Sequence, residues 1–199
     1  MKFFTLEAYN YDDDDQASVE AWCQSYDSYE GHLARIKGIL PDSLLEISGQ
    51  DVFDDGLITR VRYYREKQRL ELLMRCGNLQ IDYYDMVLAY EGARISAEHD
   101  RVLATIARTT TWGKGWKFDC HNTELDVGPD GEIIHRFLFN PGVCFEIACQ
   151  SLTWKRVPKP GRRFAYATDR YPGGPEVDDA LVAWVKSFWT RPPDESIDA

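Results

Sequence analysis

The chain reads as α+β, a mostly antiparallel sheet of about six to seven strands flanked by an N-terminal, a middle and a C-terminal helix. Three observations carry this. Apolar residues recur at steps of three and four near both ends of the chain. Two central stretches are rich in β-branched and aromatic residues, and short turns of the kind that join antiparallel neighbours cut them into runs. At 199 residues the chain suits a single domain over 1–199, long enough to bury a substantial core.

Val19, Trp22, Cys23, Tyr26, Tyr29 or Glu30, Leu33 and Ile36 fall on one helical face, which predicts a helix over 17–37. Asp12 to Asp15 lie at its N-terminal end, where carboxylates cap free amides and meet the positive end of the helix dipole. Pro41-Asp42 closes the segment. A first β-meander over 44–91 follows, with strands at 44–48, 57–64, 70–76 and 79–90 separated by Asp55-Gly56, Glu66-Lys67 and Gly77-Asn78. Arg60, Arg62 and Arg65 are expected on its wet face. Ser96 then offers an N-cap, and Val102, Leu103, Ile106 and Ala107 continue at helical spacing to about residue 108.

Trp112-Gly113-Lys114-Gly115-Trp116 is a break, without the pattern of a phosphate-binding loop. The second β-meander, over 118–154, has strands at 118–127, 133–139 and 144–154, joined by Pro129-Asp130-Gly131 and Asn140-Pro141-Gly142. A basic loop over 155–163 and a Pro-Gly-rich turn lead to a C-terminal helix over 176–189, where Val177, Leu181, Trp184, Val185 and Phe188 share a face behind an acidic first turn. Pro192-Pro193 stops it, leaving a disordered tail over 192–199.

Composition narrows the function classes. Hydrophobic residues at 44% and charged ones at 28% are too apolar a mix for a disordered chain. Half of the net charge of −10 arises in the first forty residues, an acidic and aromatic front end that repels nucleic acid and anionic membranes and attracts a basic protein. No apolar run approaches the roughly 18 residues of a membrane helix, and Met1-Lys2-Phe3-Phe4 leads into acidic residues and not into a signal-peptide core, so a cytoplasmic protein is expected. Five cysteines, an odd number without scaffold spacing, read as reduced thiols.

The residues expected to meet a basic partner are Asp12, Asp13, Asp14, Asp15, Glu20, Asp27 and Glu30. Trp22, Tyr26 and Tyr29 lie beside them, either as a contact patch ringed by charge or as core. The aspartate run lacks the spaced oxygens and glycine of a calcium loop, and Cys144 and Cys149 stand too far apart for a zinc pair with Cys120-His121; no metal or other cofactor is expected. Five positive charges within 155–163 read as a solvated loop or a counter-patch for the acidic end. Asp119, Glu124, Asp126 and Glu146 sit on neighbouring predicted strands, and Asp119, His121, Glu124 and Glu146 together form the alternative, a hydrolase or metal-dependent enzyme.

Met1-Lys2-Phe3-Phe4-Thr5, Leu40-Pro41-Asp42-Ser43, Cys120-His121-Asn122-Thr123-Glu124-Leu125, His135-Arg136-Phe137-Leu138-Phe139 and Phe145-Glu146-Ile147 together resemble a family of uncharacterised bacterial proteins known as a domain of unknown function. The resemblance spans about residues 1–155 and rests on strand patterns, so it implies a fold and carries no activity. Where that family often has Tyr-Asp-Glu this chain has Cys120, His121 and Asn122, which weakens any inherited acidic site. In character the chain is also similar to immunity proteins encoded beside bacterial toxins, small acidic α+β proteins without catalytic motifs. The expectation is therefore a non-enzymatic binding protein that occludes a basic toxin or enzyme, against a housekeeping or adaptor domain with no such partner.

Overall fold

The computed structural model describes residues 1–5, 16–49, 52–53, 55–77, 84–109, 118–140 and 142–158. In chain order these form α1 (Gln16–Ile36), a one-turn α2 (Asp42–Leu45), β1 (Leu57–Tyr64), a 3-10 turn (Arg65–Lys67), β2 (Arg69–Cys76), β3 (Tyr84–Glu91), α3 (Ala97–Thr109), β4 (Cys120–Val127), β5 (Ile133–Phe139), β6 (Val143–Cys149) and β7 (Ser151–Pro158). Asp12 to Asp15, the glycine break at 112–116, most of the basic loop, the helix expected over 176–189 and the tail over 192–199 lie outside the described residues.

Every strand pair is antiparallel, but the seven strands divide into two sheets, ordered β1-β2-β3-β7 and β4-β5-β6, where the sequence suggested one. The division falls at Gln150, inside what reads as a single strand over 144–154. Up to Cys149 the buried side chains are odd-numbered, Phe145, Ile147 and Cys149; beyond it Leu152 takes over and the phase has switched. Gln150 donates its amide to Glu91 O at 2.9 Å, and β7 continues from there along β3, with Ser151 opposite Glu91. The chain passes straight from one sheet to the other, so no Pro or Gly turn marks the crossing.

The strand expected over 44–48 is absent. Pro41, with φ fixed at −56°, starts a helical turn instead, and Leu44 and Ile47 are buried three residues apart. At the start of α3 the Ser96 hydroxyl accepts the His99 amide at 3.1 Å, as an N-cap does.

One face of each sheet meets in a common core. Leu70, Leu72, Met74 and Leu88 face Leu125, Phe137, Phe145 and Ile147, with Leu44 and Ile47 and, from α3, Leu103 and Ile106 closing the sides. Phe137 and Phe145 stack at 4.8 Å, and each fully buried side chain of this size contributes about 1.5–3 kcal/mol of transfer free energy. Two backbone bridges tie the sheets, Gly56 with Cys120 and Arg94 with Ala148. A side chain at Gly56 would meet Phe53 O at 2.6 Å, so glycine is required at the first bridge.

The opposite face of the first sheet corrects a further expectation. Arg62 is 0% exposed: it stands opposite Glu71 on the face turned away from the common core, and on that face Leu73, Val87 and Asp85 are buried as well. Arg65 is exposed as expected.

Candidate functional site

The outer face of the second sheet carries acid and base in alternation. In register, Glu124 of β4, Arg136 of β5 and Glu146 of β6 stand side by side, and Asp126 follows two residues along β4. Arg136 Nε donates to Glu146 Oε2 at 2.6 Å, while its Nη1 lies 3.1 Å from Asp126 Oδ2 and 3.6 Å from Glu124 Oε2. One guanidinium thus lies within ion-pair distance of three carboxylates.

Two further elements cover this face. From α1, His32 Nε2 stands 2.8 Å from Asp126 Oδ1, and the Tyr29 hydroxyl accepts the Leu125 amide at 2.7 Å. The leading segment, residues 1–5, joins no strand and is held by side chains. The amides of Lys2, Phe3 and Phe4 all donate to Glu124, at 2.8, 2.7 and 2.8 Å, and Lys2 Nζ reaches Asp126 Oδ2 at 3.2 Å. Glu124 is 0% exposed, and the amides supply the partners that a buried carboxylate needs.

Environment sets the protonation states. Burial works against the charge of Asp126, but the Val127 amide, Arg136 and Lys2 outweigh it and hold the carboxyl below the usual carboxylate range. His32 moves down from the ordinary histidine value because burial, assisted by Lys2, outweighs Asp126. Burial also pushes the Tyr29 hydroxyl up. The neighbourhood thus favours an ionised Asp126, a neutral imidazole and a neutral phenol. It is a set of engaged groups, suited to holding two chain segments together.

The sequence candidates divide accordingly. Glu124 and Glu146 are brought together through Arg136. Asp119 and His121 have other partners: Asp119 pairs with Asn140 and is pushed up by burial and by Asp55, while the His121 ring lies 5.3 Å from Trp22 and burial moves its value down. Glu20, Asp27 and Glu30 are exposed along the outer side of α1. The aromatics beside them turn inward: Tyr29 is buried, and Trp22 and Tyr26 pack on Phe4 with ring centres at 5.8 and 5.0 Å. Their role is core. Lys2, His32 and Arg136 were missed as site residues; the alternation of Glu124, Arg136 and Glu146 across three predicted strands was the available signal.

A second polar group lies in the core. His135 Nδ1 is 2.9 Å from the Tyr90 hydroxyl, and burial lowers His135 to about 3. Burial raises the Cys149 thiol to about 12, far from the range of a reactive thiolate. Among the described residues no group of three or more His, Cys, Asp or Glu side chains converges to hold a metal ion, and no helix is long and apolar enough to cross a membrane. Two clefts open elsewhere: an apolar one of about 360 Å³ lined by Val102, Ile106, Phe118 and Val143, and a polar one of about 520 Å³ lined by Gln68, Arg94, Asp130, Glu132 and Gln150.

The chain is thus an α+β protein of two antiparallel sheets in which a helix and a leading segment are clasped over a charged sheet face. No family model, curated protein or solved structure matches the chain.

Proposed function

We propose that the chain is a non-enzymatic cytoplasmic binding protein that occludes a basic protein partner, in the manner of an immunity protein or an inhibitor. The observation that carries this reading is the split between two sets of carboxylates. Glu124 and Asp126 are engaged internally by Arg136, Lys2 and backbone amides, whereas Glu20, Asp27 and Glu30 point outward from α1. Outward charge of one sign raises the association rate of an oppositely charged partner and does so in a salt-dependent way. The sequence places Asp12 to Asp15 immediately before this helix, adding to the same field. The enzymatic alternative has less support, because Asp119 and His121 have partners different from those of Glu124 and Glu146.

The test is a comparative capture from native lysate at low and high salt, with the unaltered chain and a variant carrying Glu20→Lys, Asp27→Lys and Glu30→Lys. A basic protein held stoichiometrically at low salt by the first and lost by the second is the expected outcome. Equal capture by both, or no salt-sensitive partner at all, removes the acidic face from the reading.

A further inference from the structure

The leading segment is held in a way that does not depend on its being part of the same chain. Three successive backbone amides, one ammonium group and two phenyl rings, with Met1 packed alongside, make the contacts described. Glu124 takes the amides of residues 2 to 4, which converge because the segment is turned, with bends at Phe3 and Phe4 and the Thr5 amide donating to Phe3 O at 3.1 Å. Asp126 takes the ammonium of Lys2. The Phe3 ring lies against His32 and Tyr29, with centres at 4.9 and 5.5 Å. Phe4 fills the deepest position, 0% exposed among Trp22, Tyr26 and Tyr29 with Leu138 beneath. The receptor side of this contact belongs wholly to α1 and the second sheet; Tyr29, His32, Glu124, Asp126 and Leu138 are buried, and Trp22 and Tyr26 are half-buried at its edge.

We propose that the groove between α1 and the outer face of β4 and β5 is a peptide-binding site, occupied in the isolated protein by residues 1–5, that accepts in their place a partner segment able to take the same turned conformation and bearing a basic residue followed by two aromatic ones. Backbone recognition through Glu124 supplies affinity without reading sequence, and Asp126 and the two ring positions supply the preference. The resident segment is an internal competitor. A short tether holds a ligand at an effective concentration on the order of millimolar, so a free peptide must outcompete that value or meet a protein whose own segment has been weakened. The inference stands apart from the acidic outer side of α1, since none of Glu20, Asp27 or Glu30 is among the groove contacts described.

The probe is a labelled peptide, acetyl-Ala-Lys-Phe-Phe-Thr-amide, followed by fluorescence anisotropy against the full chain and against its Phe4→Ala variant. The unaltered chain should bind weakly, and the variant, with the deepest position vacated, about tenfold or more tighter, since its own segment competes less well. A peptide with Asp in place of Lys should lose most of that gain, and Asp126→Asn in the Phe4→Ala background should erase the difference between the two peptides. The Glu20, Asp27, Glu30 triple-lysine variant, combined with Phe4→Ala, should bind the peptide within about twofold of Phe4→Ala alone, which separates this result from the fate of the acidic face. A folded Phe4→Ala protein that ignores the peptide overturns the proposal, as does dimerisation by segment exchange without peptide binding. Should Phe4→Ala fail to fold, amide hydrogen exchange on the unaltered chain decides: Lys2, Phe3 and Phe4 must exchange through an opening well below global unfolding, and exchange only with global unfolding refutes displacement.

Discussion

Beneath α1, Arg136 and Lys2 stand among Glu124, Asp126 and Glu146 and the charges compensate one another; on the inner face of the same sheet, His135 meets Tyr90 and hydrocarbon, and stays neutral. Glu124, Asp126 and His135 are all buried, yet they persist for opposite reasons. The outer set keeps its charges because each has an opposite charge or an amide within hydrogen-bond reach, so Asp126 is held below the usual carboxylate range despite burial. The inner pair has no counter-charge, so burial alone governs and the imidazole gives up its proton. A network of ions is therefore vulnerable to the loss of a member, and an isolated neutral pair to a change of pH.

Three measurements test that contrast. The largest effect belongs to Arg136→Met, which leaves the buried Glu124 and Asp126 without their shared cation and should cost about 3–5 kcal/mol, read as a fall in the urea midpoint; a loss no greater than that of a surface substitution would mean the network contributes little.

Next comes acid. In the unfolded chain His135 binds a proton below its ordinary value near 6.5, whereas the folded protein keeps it neutral until about 3, so the unfolded state holds more protons and stability falls as pH drops through that window. At about 1.4 kcal/mol per unit this amounts to roughly 3 kcal/mol between pH 7 and pH 4. Lowered His32 and His121 act in the same direction, and the contribution of Asp126, present above about pH 4, fades as pH falls towards its folded value. His135→Phe should flatten the slope between pH 7 and pH 4, and an unchanged slope would transfer the acid sensitivity to the outer network. The smallest of the three is Tyr90→Phe, which strips His135 Nδ1 of its partner at about 1–3 kcal/mol and leaves the acid slope in place, since the slope comes from burial.

How far the sequence reached can be judged from the elements themselves. Six of the seven strands coincide with β-branched or aromatic runs, and Ser96 caps α3, because these features depend on neighbours within a few residues. The division into two sheets depends on a phase change at Gln150 with no turn chemistry to announce it. Arg62 looked solvated because it lies on the face away from the common core, and nothing local announces that this face is buried too. At the site, Glu124 and Glu146 were singled out as acids, but what fixes their role is Arg136 from the intervening strand and amides some 120 residues away in sequence. Local periodicity reports which face of a strand is buried; it does not report what comes to lie on it.

The crossing at Gln150 also orders events in time. β1 to β3 and β4 to β6 each pair neighbours in sequence, so either meander can form from its own stretch of chain, whereas β7 must return to β3, Glu91 meeting Ser151 and Tyr84 meeting Pro158. Closing that long loop is the entropically slow step, and it cannot be completed during synthesis until residue 158 has left the ribosome. In a pulse-labelling refolding experiment the amides shared by β3 and β7 should be the last of the sheet amides to become protected; protection as early as in β4 to β6 would show that β7 does not act as the closing tie.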